Sequence, residues 1–120
     1  MYKVIYYQNT KGESPVEEFI GSFPVKTRAK ILKWLELLEE NGPDLPRPYS
    51  DSLRDKIREL RVSEGKLAIR LLYFFWKDKI IVVTNGLVKK ANSVTEREIE
   101  KAITYMNDFI IREEKNHGQA

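Results

Sequence analysis

A mixed α+β domain is predicted by two observations. Apolar residues recur at helical spacing in separate stretches, and three closely spaced runs of β-branched and aromatic residues read as strands. A chain of 120 residues, 42% hydrophobic and 11% aromatic, has room for one compact core and not for two. The expected architecture is a small antiparallel sheet, made of an N-terminal strand and a three-strand meander. Two helices lie on one face, and a C-terminal helix follows. Residues 1–114 are expected to form this single domain and 115–120 a flexible tail.

Residues 2–8 are rich in aromatic and β-branched side chains and lead to Gly12, so they read as a first strand entering a turn. Ser14-Pro15-Val16-Glu17 announces a short helix ending near Gly21. Ser14 can cap it, Pro15 suits the first helical position, and Glu17 can complete a capping box. A second helix starts around Pro24 and stops at Asn41-Gly42-Pro43. Its apolar stripe is Val25, Ala29, Leu32, Leu35 and Leu38, widened by Ile31 and Trp34, while Lys26, Lys30 and Lys33 read as a solvated face. Residues 44–52, with Pro46 and Pro48, read as a loop. Three apolar runs follow at 57–62, 67–76 and 80–88. The last helix begins at Thr95, whose pairing with Glu98 makes another capping box. Ile99, Ala102, Ile103, Met106 and Ile110 form its apolar face.

Composition narrows the function classes. Lys+Arg number 21 and Asp+Glu 18, a net charge of +3, which fits a nucleic-acid binder and an ordinary soluble protein equally well, so placement must decide. The absence of cysteine excludes disulfides, thiolate metal sites and a cysteine nucleophile. The N-terminus lacks the apolar region of a signal peptide, and no run nears the ~18 apolar residues of a membrane span. A cytoplasmic protein without membrane contact is expected.

Strand register places the polar residues. With Glu64-Gly65 as a two-residue loop, Glu59 faces Arg70 and Arg61 faces Ala68. With Lys77-Asp78 as the second loop, Arg70 faces Asn85. Glu59, Arg61, Ala68, Arg70, Leu72, Phe74, Ile81, Val83, Asn85 and Leu87 then share one face. Leu60, Val62, Ile69, Leu71, Tyr73, Ile80 and Val82 are among the apolar residues on the other, which suits the first two helices. The final helix covers the apolar end of the mixed face and leaves a cationic hollow, toward which Lys89 also points. Asn85-Gly86 is alternatively a hairpin turn, although too little chain follows for a return strand.

Arg70, mid-strand among Ala68, Leu72 and Phe74, is costly to desolvate without a partner. Two explanations stand: an ion pair with Glu59, and a phosphate clamp, which a forked and permanently charged group suits. Arg61 brings a second guanidinium to the hollow, where the two repel unless an anion lies between them. Arg58 has the other parity and reads as a solvated or helix-facing charge. Lys89-Lys90, taken alone, is a basic strand end. RNA cleavage by a 2′-hydroxyl needs a base, stabilisation at the phosphoryl oxygens and an acid for the leaving oxygen. The sole histidine, His117, sits in the tail, so the candidates are Glu59 as base, Lys89 or Lys90 as acid, and Arg61 and Arg70 as charge stabilisers. No cofactor or metal is expected, since no ligand cluster or Gly-rich phosphate loop is present.

The succession Ile57-Arg58-Glu59-Leu60-Arg61-Val62, then Ala68-Ile69-Arg70-Leu71-Leu72-Tyr73-Phe74-Phe75, then Asn85-Gly86-Leu87-Val88-Lys89-Lys90 and residues 95–102 resembles the HigB-like, phage-derived branch of the RelE/ParE toxin superfamily. The resemblance spans about residues 57–105. It implies a RelE-like fold and the toxin of a type II toxin–antitoxin system, a metal-independent, ribosome-dependent mRNA endoribonuclease. It further implies that Arg61 and Arg70 contact or stabilise phosphate and that Lys89 and Lys90 lie at the active site; with Glu59 and Asn85 these are the candidate catalytic residues, and Arg61, Arg70, Lys66 and Lys89 the candidate RNA-binding ones. The implied partners are a helix-turn-helix antitoxin, mRNA and the ribosome. Asn85 stands where many relatives carry His, and Leu87 where they carry Phe, so the proton carrier is left open. A gyrase-directed toxin of the ParE kind and an inactive antitoxin-binding module acting in transcription are the alternatives.

Overall fold

In a computed structural model that describes residues 1–90 and 92–118, the aromatic and β-branched N-terminus forms strand β1 (Lys3–Tyr6). Helix α1 (Pro15–Gly21) starts as its sequence dictates, with Pro15 in the first turn and Ser14 Oγ accepting the Glu17 N–H at 3.2 Å. Helix α2 (Val25–Asn41) ends at Gly42, whose φ of 54° favours glycine, and the ring of Tyr2 occupies the space a Cβ would need. A single 3-10 turn (Gly42–Asp44) leads to β2 (Ser50–Arg54), β3 (Ile57–Glu64), β4 (Leu67–Trp76), β5 (Ile80–Val88) and α3 (Glu96–Gly118).

The five strands form one sheet in the order β1-β5-β4-β3-β2. The β2-β3-β4-β5 part is an antiparallel meander, whereas β1 runs parallel to β5. Two details differ from expectation. The sheet is mixed and not wholly antiparallel, because the chain crosses one face through α1 and α2 and comes back at the opposite edge. Residues 50–54 are an edge strand and not loop: the segment Ser-Asp-Ser-Leu-Arg lacks apolar alternation because only the backbone of an edge strand needs partners. Ser50 Oγ donates to Leu45 O at 2.6 Å and ties the strand to the preceding turn.

Each face carries its own core. Val16 and Ile20 of α1 and Ile31, Leu35 and Leu38 of α2 pack on Leu60, Val62, Ile69, Leu71 and Tyr73. The buried stripe of α2 is therefore rotated from the expected one, and Val25 and Leu32 are exposed. On the other face, Ile99, Ala102 and Met106 of α3 cover Ile57, Leu72, Phe74 and Val82, as expected of the final helix. Tyr7 anchors that helix: its hydroxyl donates to Asp108 at 2.7 Å and its ring stacks on Tyr105 at 4.7 Å, while Arg112 bonds both Asp108 and the Gln8 carbonyl. With no helix breaker before Gly118, α3 passes Lys115, where a flexible tail was expected. Residues 119–120 and the side chain of His117 lie outside the described residues.

The first hairpin turns at Gly65-Lys66, so Glu64 faces Leu67 and the register differs by two residues from the expected one. Faces alternate with period two, so every β3 and β4 side chain keeps its predicted side. The second hairpin has a three-residue loop, with Lys77 and Lys79 at positive φ, and the slip is one residue. Ile81 and Val83 consequently face α1 and α2, and Val82 faces α3, the reverse of expectation. A β-bulge then resets the phase. Tyr73 faces Val83 but Leu72 faces Asn85, leaving Thr84 as the extra residue, with its hydroxyl 3.1 Å from Leu72 O and 2.6 Å from Asn85 Oδ1. Beyond the bulge Asn85 and Leu87 share the face of Arg70, as predicted. Asn85-Gly86 continues the strand and is not a turn. A Cβ on Gly86 would lie 2.3 Å from the Phe19 ring, so this position admits α1 only without a side chain.

Candidate functional site

Past the end of the α3 core, the α3-side face of the sheet turns polar. Leu87, Arg70 and Arg61 form one row across β5, β4 and β3, and Asn85, Leu72, Glu59 and Asp51 form the next. Arg61 thus lies directly opposite Arg70. Glu59 and Asn85 are diagonal to Arg70 and not opposite it, a consequence of the two register changes. The diagonal still permits contact, since Arg70 Nε is 3.0 Å from Glu59 Oε1. That approach is off the line of a hydrogen bond, leaving Nε buried without an acceptor in line, and Nη1 donates to the Ile69 carbonyl at 3.0 Å. Arg70 is 8% exposed and Glu59 6%. Burial pulls the proton affinity of Arg70 below the ordinary guanidinium range, with Glu59 opposing the shift and Arg61 adding to it.

Arg61 is held more loosely. Its Nη2 lies 3.5 Å from Glu59 and 3.4 Å from Asp51, and its Nη1 is 3.4 Å from the Pro48 carbonyl. Asp51 also pairs with Arg47 at 3.0 Å. Desolvation pushes the Asp51 carboxyl up, but the Ser52 N–H, Arg47 and Arg61 outweigh it and hold its pKa below the usual carboxylate range. The expected cationic hollow is therefore a cleft in which each arginine already has a carboxylate. An incoming anion would exchange partners with Glu59 and Asp51, and the long interactions of Arg61 are the ones most easily exchanged.

This cleft, of about 430 Å³, is lined by Lys30, Trp34, Tyr49, Arg61, Ser63 and Arg70, among others. Lys30, expected on a solvated helix face, instead reaches Glu64 at 3.4 Å and forms part of the wall. Arg58 bonds the Tyr73 hydroxyl at 3.4 Å on the opposite face, in keeping with its parity. Lys89 and Lys90 line a separate hollow of about 200 Å³ with Leu87, Thr95 and Glu98. The Lys89 N–H donates to Ala68 O at 2.7 Å, so Lys89, just past the end of β5, lies two residues on from Leu87, the neighbour of Arg70. Asn85 is buried, accepts from Thr84 and donates to Glu98 at 3.5 Å, which ties the bulge to the first turn of α3. Lys66 occupies the exposed turn of the first hairpin.

Asp51, Tyr49, Trp34 and Lys30 escaped sequence reasoning. The first two belong to the segment read as loop; Trp34 was read only as part of the core stripe of the second helix, and Lys30 only as part of its solvated face. The aromatic pair flanking a Pro-rich segment was the available signal. Among the described residues no group of three His, Asp or Glu is placed to hold a metal ion, and no helix is long and apolar enough to cross a membrane.

Topology and cleft together define a small α+β protein with paired arginines on one sheet face. The family model of the phage-derived Gp49-like proteins matches residues 18–107. The chain belongs to this family, in agreement with the phage-derived, HigB-like branch of RelE/ParE-type proteins that residues 57–105 resemble. No curated protein matches it significantly. Among solved structures it is similar to a chain of the archaeal RelE–RelB complex from Pyrococcus horikoshii OT3. The two are 20% identical with a TM-score of 0.48, and the match covers 72% of this chain and 93% of the other.

Proposed function

We propose that this protein is the toxin of a type II toxin–antitoxin pair and acts as a metal-independent endoribonuclease on ribosome-bound mRNA. The observation carrying the proposal is the juxtaposition of Arg61 and Arg70 on neighbouring central strands, with the buried Glu59 between them. Glu59 offsets the repulsion between the two guanidiniums in the free protein, and a phosphate taking its place would be gripped by both forks at once. The reaction is attack of a 2′-hydroxyl on the adjacent phosphorus. The 2′-O–P bond forms, the P–O5′ bond breaks, Glu59 takes the hydroxyl proton, and Lys89 or Lys90 supplies one to the departing 5′-oxygen. The product end is a 2′,3′-cyclic phosphate. Arg61 and Arg70 stabilise the charge that gathers on the phosphoryl oxygens. Lys66 contacts the RNA backbone beyond the cleft. A helix-turn-helix antitoxin would silence the protein in the cytoplasm.

A second reading has its own support. Asn85 is buried, tied to Thr84 and Glu98, and carries no titratable proton where many relatives have His. This favours a member that binds RNA or its antitoxin without cutting. One experiment separates the two: induced expression in bacteria followed by mapping of new mRNA 5′ ends, for wild type and Arg61→Ala. New ends that vanish in the variant support the nuclease. Growth inhibition without new ends refutes it.

A further inference from the structure

The cleft has an aromatic side as well as a charged one. Trp34 of α2 and Tyr49, which immediately precedes β2, lie with ring centroids 5.1 Å apart and planes tilted by 31°. Trp34 is partly buried against the α1/α2 core, and Tyr49 is 43% exposed. Trp34 thus backs one side of the Tyr49 ring and leaves the rest of it exposed. The chain around Tyr49 is fixed. Its N–H donates to Pro46 O at 2.9 Å, and its carbonyl accepts the Arg61 N–H at 2.8 Å. Ring and guanidinium therefore leave hydrogen-bonded neighbours, whose backbones are about 4.8 Å apart as in any ladder. Both side chains line the same cleft.

A solvent-exposed tyrosine ring, backed by tryptophan and set beside a forked cation, suits a nucleobase whose own phosphate the cation holds. Base stacking on aromatic rings beside a basic groove is the general mode of single-strand recognition. Arg70, its side chain nine-tenths buried and paired with Glu59 at 3.0 Å, borders the same cleft and places a second guanidinium beside that of Arg61. We propose that Tyr49, supported by Trp34, is a stacking subsite for one unpaired base of single-stranded RNA, immediately next to the phosphate gripped by Arg61 and Arg70. This deepens the ribonuclease reading and rests on it. Tyr49 and Trp34 are positioning residues for the substrate. Stacking tolerates any base, so the subsite demands an unstacked nucleotide and not a particular sequence. Double-stranded RNA, whose bases are already stacked, is excluded from it.

The test uses the full chain and a fluorescent 2′-O-methyl tetraribonucleotide, which lacks the attacking hydroxyl and cannot be cleaved, with binding read by fluorescence polarisation. A second probe has the same backbone with every base removed. Wild type should bind the intact probe better than the abasic one. Tyr49→Leu should weaken the intact probe roughly 5-fold to 100-fold, the range expected for one stacked base, and abolish the difference between the probes. Tyr49→Phe should restore wild-type behaviour, and melting curves should show both variants folded. If Tyr49→Leu binds as wild type does, or still discriminates against the abasic probe, the subsite is refuted. If in that case Arg70→Ala abolishes binding, the phosphate clamp survives and only the aromatic subsite falls. If Arg70→Ala also changes nothing, the phosphate clamp falls with the subsite; if wild type binds neither probe, the subsite falls and the ribonuclease reading is left to the mapping of new mRNA ends.

Discussion

Removing either arginine of the cleft should end function, but only one removal should disturb the fold. In Arg61→Ala, Glu59 keeps Arg70 at 3.0 Å and Asp51 keeps Arg47 at 3.0 Å, so no carboxylate is stranded. The ion pairs that Arg61 gives up are 3.4–3.5 Å long, on a side chain that is one-third exposed, which places the stability loss under about 1 kcal/mol. In Arg70→Ala, Glu59 is left with Arg61 alone, at 3.5 Å. Stranding a buried charge completely costs about 3–5 kcal/mol. Arg61 retains part of that, and the repulsion between the two arginines disappears, so about 1–3 kcal/mol is expected. For a domain of this size that lowers Tm by about 4–12 °C. Both variants should lose ~10²-fold to 10³-fold in cleavage rate, the usual effect of losing one positioned donor. Arg70→Lys should recover stability better than activity, since a point charge cannot reproduce the fork. The assays are denaturant unfolding, mRNA cleavage and growth inhibition. Full toxicity in folded Arg70→Ala, or a larger stability loss for Arg61→Ala than for Arg70→Ala, would refute the assignment of roles.

Four other outcomes are expected. Leu71→Asp places a carboxylate at a fully buried position between β3 and β5 and should abolish folding, and a soluble, cooperatively melting variant would contradict the core described above. Cleavage should persist in EDTA and leave a 2′,3′-cyclic or 3′-phosphate, so end-group analysis finding 3′-hydroxyls would exclude the mechanism. Gly86→Ala should cost about 1–3 kcal/mol through collision with Phe19, and Phe19→Leu should recover part of it; a neutral Gly86→Ala would show that α1 can shift. Burial, then the hydrogen bond to Asp108, pushes the Tyr7 hydroxyl up to about 12. A raised folded pKa means that this stabilisation is complete below the unfolded value of about 10 and is lost as pH climbs from there toward 12. Unfolding of Tyr7→Phe should therefore depend less steeply on pH in that window, and an unchanged slope would count against the shift.

Legibility in the sequence followed the strength of the local signal. Caps and terminators are chemistry at single positions, so Ser14-Pro15, Gly42 and Thr95 marked helix ends close to where they lie. The faces of β3 and β4 were readable because an error of two residues in register leaves every side chain on its own side. In β5 an unforeseen third loop residue inverted Ile81 and Val83, and the bulge at Thr84, equally invisible in an unbroken apolar run, restored Asn85 and Leu87. Glu59, Arg61 and Arg70 were legible because charge in the middle of an apolar strand requires a partner. Asp51 and Tyr49 were not, because an edge strand is specified by backbone pairing more than by side-chain pattern. Lys30 and Trp34 depended on the rotation of α2, which is fixed by tertiary packing.

The outer edge of β1 has its own fastening. The Tyr2 N–H donates to the Glu39 backbone carbonyl at 2.9 Å and the Val4 N–H to the Glu39 carboxylate at 2.8 Å. One residue of α2 thus occupies two of the donors that a further strand would use. Edges left open invite other chains to add themselves to the sheet. With Glu39 in place, a second molecule cannot extend the sheet on this side without first displacing a carboxylate. Growth of the sheet by strand addition is thereby directed away from β1; Glu39→Ala would release the Val4 donor alone, since the backbone carbonyl of residue 39 would still hold Tyr2.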